Sequence, residues 1–465
     1  MNIDQSIFKA YDIRGIYPEQ INEESAYVLG RAYATFFLKF ENIIDIGVVE
    51  KKPKIAVGSD MRISSPSLKA QLIAGLLDSG LDVVDIGLVS TPTFYYAVAK
   101  FAFDGGLTVS ASHNPKEYNG LKIVRHNGIP VSKDSGIFEI RDIILNDTFV
   151  EKSAVRGNLT TQTNIVDNEV VDQLTGLDYK KIKPFKIIID GSNGMGSVDM
   201  ATLFSKLPCE VVKMNFELDG TFPAHGADPM KAENTQELRD RVVAEHADLG
   251  IAPDGDGDRI FFFDEKGDLL PQAILRGIMA QIELREHPGA LVCYDIRPGR
   301  ITKDMIDQVG GKSIVTAVGH SIIKEAMIKN DAIFGGESSG HYFYKLPYGT
   351  FEAPMILVEK FLEYISEQNK PLSEIVAPYK IYFNSGEINT DVGNAEAIQA
   401  KITEIKNKYS DGVQTFIDGL TVEYPEYWFN VRGSNTEPLI RLTVEAKSEE
   451  VMEAKLKEIL AIIQS

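Results

Sequence analysis

Two short loops hold the residue types that phosphoryl and metal chemistry require. The first runs Leu107-Thr-Val-Ser-Ala-Ser-His-Asn-Pro115 and leads through Tyr118-Asn-Gly-Leu-Lys122. Gly105-Gly106 precede a β-branched run, so a strand should end near Val109 and release Ser110, Ala111, Ser112 and His113 into a loop. A serine there, beside a histidine and ten residues before a lysine, has the parts of a phosphoryl acceptor with cationic support. On shape alone, a serine-rich turn closed by Asn114-Pro115 fits equally well. The second loop is Ala252-Pro-Asp-Gly-Asp-Gly-Asp-Arg259. Asp254, Asp256 and Asp258 alternate with glycines, so a tight backbone can aim three carboxylates at one point, the all-oxygen shell that hard cations take. An EF-hand competes, because Glu265 falls at position 12 counted from Asp254. It fails on Arg259, which stands where the sharp turn needs glycine, and on flanks that read as strands. Few carboxylates with room for outside oxygens favour Mg²⁺.

With three further loops, these resemble the α-D-phosphohexomutase family, which includes the bacterial phosphomannomutase/phosphoglucomutases. Phe8-Lys-Ala-Tyr-Asp-Ile-Arg-Gly15 is similar to that family's opening motif, and Thr108–Pro115 to its phosphoserine loop, which puts the phosphorylated residue at Ser112. Asp254–Arg259 matches the metal loop, Gly335-Gly-Glu-Ser-Ser-Gly-His341 the sugar-recognition loop, and Arg432-Gly-Ser-Asn-Thr-Glu-Pro438 the phosphate-binding loop. The five motifs keep the family's order across nearly the whole chain. The resemblance implies a hexose 1-phosphate/hexose 6-phosphate mutase working through phosphoserine and a hexose 1,6-bisphosphate. It implies Mg²⁺ held by Asp254, Asp256, Asp258 and the Ser112 phosphate. Arg14, Lys122 and Arg259 would neutralise phosphate charge, and His341 would act as acid, base or sugar holder. Tyr11, His113, Arg297, Gly319, His320, Glu337, Ser339, Arg432, Ser434, Asn435 and Thr436 would contact substrate.

The elements that position these loops follow from periodicity. Lys54–Gly58 reads as a strand. Ser64-Ser65-Pro66 then opens a helix that presents Leu68, Leu72, Ile73 and Leu76 on one face and stops at Gly80. Lys186–Ile189, Leu291–Tyr294 and Ala332–Phe334 read as buried strands. Asn234 with Glu237 resembles a capping box for a helix reaching about His246. The residues of interest repeatedly follow a strand, where open α/β sheets bind ligands. Polar, aperiodic Asn146–Asn168 reads as a connection, Glu367–Pro371 as a turn, and past Pro378 the pattern becomes α+β, with a strand Leu439–Glu445 and helices Asn394–Tyr409 and Glu449–Ser465. The resemblance implies three related α/β domains with mixed sheets and a smaller C-terminal α+β domain around a central cleft. We place them at 1–157, 158–267, 268–378 and 379–465.

Composition agrees. The chain has 465 residues, enough for several cores, and its 44% hydrophobic and 25% charged residues are ordinary for globular proteins. A net charge of −19 argues against nucleic-acid binding and requires local cations to draw in an anionic sugar phosphate. Cys209 and Cys293 make no disulfide framework and read as buried thiols. Neither an export signal nor a long apolar run is evident, so a cytoplasmic protein without membrane attachment, a monomer or weak dimer, is expected. Seven histidines without metal spacing speak against zinc. Ser338 between Glu337 and Ser339, Arg297 where many relatives carry lysine, and Tyr348–Pro354 depart from the usual pattern. Phosphoglucosamine mutase is therefore the second reading, although those enzymes usually have Gly where Asn435 stands. A metal-dependent sugar phosphatase and a non-catalytic metal-binding protein are the readings from other classes.

Overall fold

The computed structural model describes residues 3–41, 52–175, 179–297, 299–434 and 439–465. The chain forms two compact units: Met1–Leu269 with His341–Leu372, and Leu270–Gly340 with Ser373–Ser465.

In the first unit, the described residues form a six-stranded sheet in the order Ile13–Ile16, Tyr118–Arg125, Gly105–Val109, Lys54–Ser59, Asp82–Leu88, Leu159–Thr161. The last four run parallel, and Tyr118–Arg125 is antiparallel to both of its neighbours. Helices Glu23–Phe40 and Ser65–Asp78 bury Leu29, Phe36, Leu68, Leu72 and Leu76 against one face. The two helices meet through Gly30 and Gly75, where an added Cβ would lie 2.4 Å from Leu72 O and 2.3 Å from Tyr27 O. Helix Thr91–Lys100, capped by Ser90 with Pro92 in its first turn, packs Phe94, Tyr95 and Val98 into the second core.

A second sheet runs Ile260–Phe263, Leu249–Pro253, Lys186–Asp190, Glu210–Met214. Its first two strands are an antiparallel hairpin whose turn is the aspartate loop. The returning segment supplies a hairpin, Tyr342–Leu346 with Gly349–Glu352, and helix Pro354–Gln368. The Phe361 ring of that helix lies 4.8 Å from that of Phe262.

In the second unit, Lys312–Thr316, Leu291–Asp295 and Phe334–Gly336 lie parallel with helices Gln272–Glu286, Arg300–Gln308 and His320–Asn330. Its C-terminal part is an antiparallel sheet. Leu439–Ala446 and Tyr427–Gly433 are its long strands, and helices Ala395–Lys408 and Glu449–Gln464 contribute to its core. The architecture is thus multidomain α/β with mixed sheets and a smaller C-terminal α+β part.

Four expectations need correction. The helix expected from Asn234 starts at Ala232, and Asn234 donates its side chain to Asp228 O at 2.8 Å instead of capping. The Ala332–Phe334 strand is Phe334–Gly336, because the two glycines pair in register with Cys293 and Tyr294. Asn146–Asn168 is not only a connection: Leu159–Thr161 pairs with Val83–Asp85 as an edge strand, and a helix begins at Ile165. Cys293 is buried, but Cys209 is only half-buried.

Candidate active site

The serine loop leaves the sheet where expected, after Val109. Ser110 turns inward and its Oγ accepts from Ser112 N at 3.1 Å. Ser112 adopts φ 52°, a left-handed backbone that a side-chain-bearing residue holds only under constraint. That twist sends its Oγ to 3.5 Å from Asp254 Oδ2 and 3.0 Å from His113 Nδ1. Ser112, not Ser110, faces the carboxylates.

Asp254, Asp256 and Asp258 are all buried, and one oxygen from each lies within 4.8 Å of the others. Lys122 Nζ bridges Asp256 Oδ2 at 2.7 Å and Asp258 Oδ2 at 2.6 Å. Thr91 Oγ1 donates to Asp256 Oδ2 at 2.6 Å, which leaves Asp256 Oδ1 buried without a hydrogen-bond partner. Burial and then the charges of Asp258 and Asp256 push Asp254 well above the usual carboxylate range. Burial pushes Asp258 the same way, but Lys122 and His341 hold it well below. Three hard oxygen donors, one orphaned buried oxygen and a cluster that cannot carry all its charge unaided fit a hard divalent cation.

The other candidates of this unit gather here. His341 Nε2 lies 3.2 Å from Asp258 Oδ1 and 3.4 Å from Arg259 Nε, and its ring stacks on Phe343. Arg259 N donates to Asp254 Oδ1 at 3.1 Å, and its Nε stands 3.8 Å from Asp254 Oδ2. Arg14 is ion-paired to Asp12 and donates to Asn114 Oδ1 at 2.6 Å. Tyr11 is half-buried in the turn before it. Burial, then the charges of Arg259 and Arg14, push His113 down to about 2, so its ring is uncharged at neutral pH. The local positive field is therefore not a set of free cations: Arg14, Lys122 and Arg259 each face an aspartate.

The second unit gathers the rest. Glu337 Oε1 accepts from Gly319 N at 2.8 Å, and Ser339 Oγ donates to Glu337 Oε2 at 3.2 Å. Gly319 has φ 145° where the chain turns into the helix headed by His320, a conformation that favours glycine. Arg297 Nε donates to Asp295 Oδ2 at 2.6 Å, while Asp295 Oδ1 takes Arg276 Nη1 at 2.6 Å and Ser338 Oγ at 3.0 Å. Arg432 is ion-paired to Glu387 and stands 3.7 Å from Asp418; Glu387 also pairs with Arg441 at 3.3 Å. Ser434 N donates to Leu439 O at 2.8 Å; Asn435 and Thr436 lie outside the described residues. Sequence reasoning missed Thr91, Asp12, Asn114, Arg276 and Asp418. Thr91 sits in a Ser90-Thr-Pro helix start, a visible signal of structure but not of its reach to Asp256.

Fold and site together place the chain among multidomain α/β proteins with a buried acidic cation site. Family models described as phosphoglucomutase/phosphomannomutase, alpha/beta/alpha domains I, II and III, match residues 5–151, 168–267 and 273–382, and the C-terminal domain model matches 387–462. A phosphomannomutase of Escherichia coli is 37% identical over 98% of this chain and 99% of that protein. One of Methanocaldococcus jannaschii is 36% identical over 99% and 98%. A crystal structure of a phosphoglucomutase/phosphomannomutase family protein from Burkholderia thailandensis superposes with TM-score 0.86 at 30% identity, covering 100% of this chain and 98% of that one. The chain belongs to the phosphoglucomutase/phosphomannomutase family.

Proposed function

We propose that this protein interconverts hexose 1-phosphate and hexose 6-phosphate, with mannose and/or glucose as the sugar, as an intramolecular phosphotransferase. The observation that carries this reading is the placement of Ser112 Oγ against the aspartate cluster, with Lys122, Arg259 and His341 converging on the same carboxylates. Ser112 carries the phosphate at rest. Its O–P bond breaks as the phosphoryl group moves to the free sugar hydroxyl, whose proton ends on the departing Ser112 Oγ. The bisphosphate then turns over and returns its other phosphate to Ser112, and the serine proton ends on the freed sugar oxygen. Asp254, Asp256, Asp258 and the Ser112 phosphate would hold Mg²⁺, which supplies positive charge to the reacting phosphate. Lys122, held charged by two carboxylates, is a cation and not a base. The uncharged His113 ring has Nδ1 3.0 Å from Ser112 Oγ, where it orients the serine side chain by a hydrogen bond; with its pKa pushed down to about 2 it does not serve as the base. Glu337 and Ser339 hold sugar hydroxyls, with His320, Gly319 and Arg297 beside them. Arg432, Ser434, Asn435 and Thr436 grip the phosphate that is not reacting.

Four domains at 1–157, 158–267, 268–378 and 379–465 are part of this reading. The family matches fall inside three of them, and the third match runs to 382, past our boundary. No described helix is long and apolar enough to cross a membrane. We take the protein as cytoplasmic, a monomer or weak dimer, without nucleic-acid partners.

The test is a parallel assay of mannose 1-phosphate, glucose 1-phosphate and glucosamine 1-phosphate with Mg²⁺, reading both hexose 6-phosphate and free phosphate. Mannose and/or glucose 6-phosphate without phosphate release is expected. Release of phosphate alone would make the protein a phosphatase, and turnover of the glucosamine ester alone would make it a phosphoglucosamine mutase.

A further inference from the structure

Arg62 is one of the largest fully buried side chains in the protein, at 1% exposure, and neither sugar nor phosphate chemistry has been assigned to it. It follows the strand Lys54–Ser59 in the sequence Ser59-Asp-Met-Arg62, at the carboxyl end of the sheet that also delivers Ser112. Its guanidinium reads the backbone of the serine loop. Nη1 donates to Pro115 O at 2.8 Å and Tyr118 O at 2.9 Å. Nη2 donates to Ser112 O at 2.8 Å and Asn114 O at 2.6 Å. Nε faces Asp60 Oδ2 at 3.2 Å. Asp60 is itself fixed, its Oδ1 accepting from Arg62 N at 3.0 Å and Ser65 Oγ at 2.6 Å.

The site is closed from the other side. The Phe222 ring covers the guanidinium, 5.1 Å from ring centre to Cζ. Gly220 comes so near that an added Cβ would lie 2.8 Å from Arg62 Cα.

The donor arithmetic decides the role. All four Nη hydrogens are spent on carbonyls, and Nε is buried beside Asp60 without a hydrogen bond of its own, so the guanidinium fork has no Nη donor left for a phosphate. An irregular loop takes its carbonyls out of regular ladders, and Arg62 donates to four around it, those of Ser112, Asn114, Pro115 and Tyr118, from one rigid fork; Pro115 O also accepts from Tyr118 N at 3.0 Å. One of the four belongs to Ser112 itself, the residue held at φ 52°. We infer that Arg62 is the positioning residue of the phosphate carrier: it fixes the loop backbone so that Ser112 Oγ stays aimed at the aspartate cluster. The inference rests on the mutase reading of Ser112.

Lysine cannot span four carbonyls, so Arg62→Lys is the probe, with Asp60→Asn as a milder variant that keeps shape and loosens the fork. The measurement is the single-turnover transfer of phosphate from Ser112 to hexose 1-phosphate, counted per phosphorylated chain so that unfolded molecules do not enter. Displacement of a reacting atom by about 1 Å costs on the order of 100-fold, which is the loss expected for Arg62→Lys, with KM within about threefold of wild type. Asp60→Asn should lose roughly tenfold, again with KM held. A transfer rate within twofold of wild type in Arg62→Lys overturns the inference. If that variant does not fold, an unslowed Asp60→Asn overturns it instead. Wild-type protein with no transferable phosphate on Ser112 overturns the mutase reading itself, and the positioning role with it.

Discussion

Lys122→Met removes the ammonium that bridges the buried carboxylates of Asp256 and Asp258 and replaces it with a side chain of similar length. The oxygens of the three aspartates lie within 4.8 Å of one another. At an effective dielectric of about 20, two charges that close repel by about 3–4 kcal/mol. Breaking a buried pair by deleting one partner costs about 3–5 kcal/mol. At roughly 2–3 °C per kcal/mol for a unit of this size, metal-free Lys122→Met should melt about 6–15 °C below wild type. Mg²⁺ should then stabilise the variant more than the wild type, because the added cation becomes the main counter-charge of the cluster and binds it more tightly. Calorimetric scans with chelator and with saturating Mg²⁺ give all four melting temperatures, and turnover should remain lost in both conditions. A metal-free variant that melts with the wild type, or a Mg²⁺ shift no larger than the wild type's, would refute the account of Lys122 as counter-ion to a cation site.

Ser112→Ala should come off the column without phosphate and lose at least about three orders of magnitude in turnover; intact-mass and peptide spectra that place the phosphate on Ser110 would contradict it. The buried pair Glu169 and Asp199 sits behind the same loops, joined through Thr93 Oγ1 at 2.5 and 3.4 Å, and burial raises both acids above their ordinary 4.5 and 3.8. The folded state therefore binds more protons than the unfolded chain above about pH 4, and stability falls as pH rises through the raised folded values, by about 1.4 kcal/mol per pH unit for each proton. Glu169→Gln should flatten that fall, as urea unfolding between pH 5 and 8 would report; an unchanged slope would show that the pair is not protonated in the fold.

Strand-to-loop transitions were readable because the local chemistry is strong. Gly255 and Gly257 between aspartates announce a hairpin turn, and Gly105-Gly106 begin the strand that delivers Ser112. Leu159–Thr161 escaped notice because all three residues are exposed and the strand is held mainly by its backbone pairing with Val83–Asp85, so no apolar alternation marks it. Asn234 misled because a helix can start two residues early when the asparagine finds a carbonyl of the preceding turn. The motifs told which residues matter but not their partners. Nothing in the spacing shows that Lys122 spends its charge on Asp256 and Asp258, or that Arg62 lies under the serine loop, since both depend on segments about 50 and 130 residues away.

The first unit is discontinuous, and this sets a timetable for its making. His341 follows Arg259 by 82 residues, yet the two side chains touch, and the Phe361 ring that packs on Phe262 comes later still. As the chain emerges from the ribosome, the aspartate loop is therefore synthesised long before the ring and helix that complete its surroundings. Until residue 341 is out, Asp258 waits without its imidazole neighbour, and Phe262 lacks its cover until residue 361. Fragments cut at Leu269 inherit that unfinished state permanently, with an aromatic face bared. Swapping the N-terminal half between relatives would meet the same obstacle, because the inherited unit is written in two places along the chain.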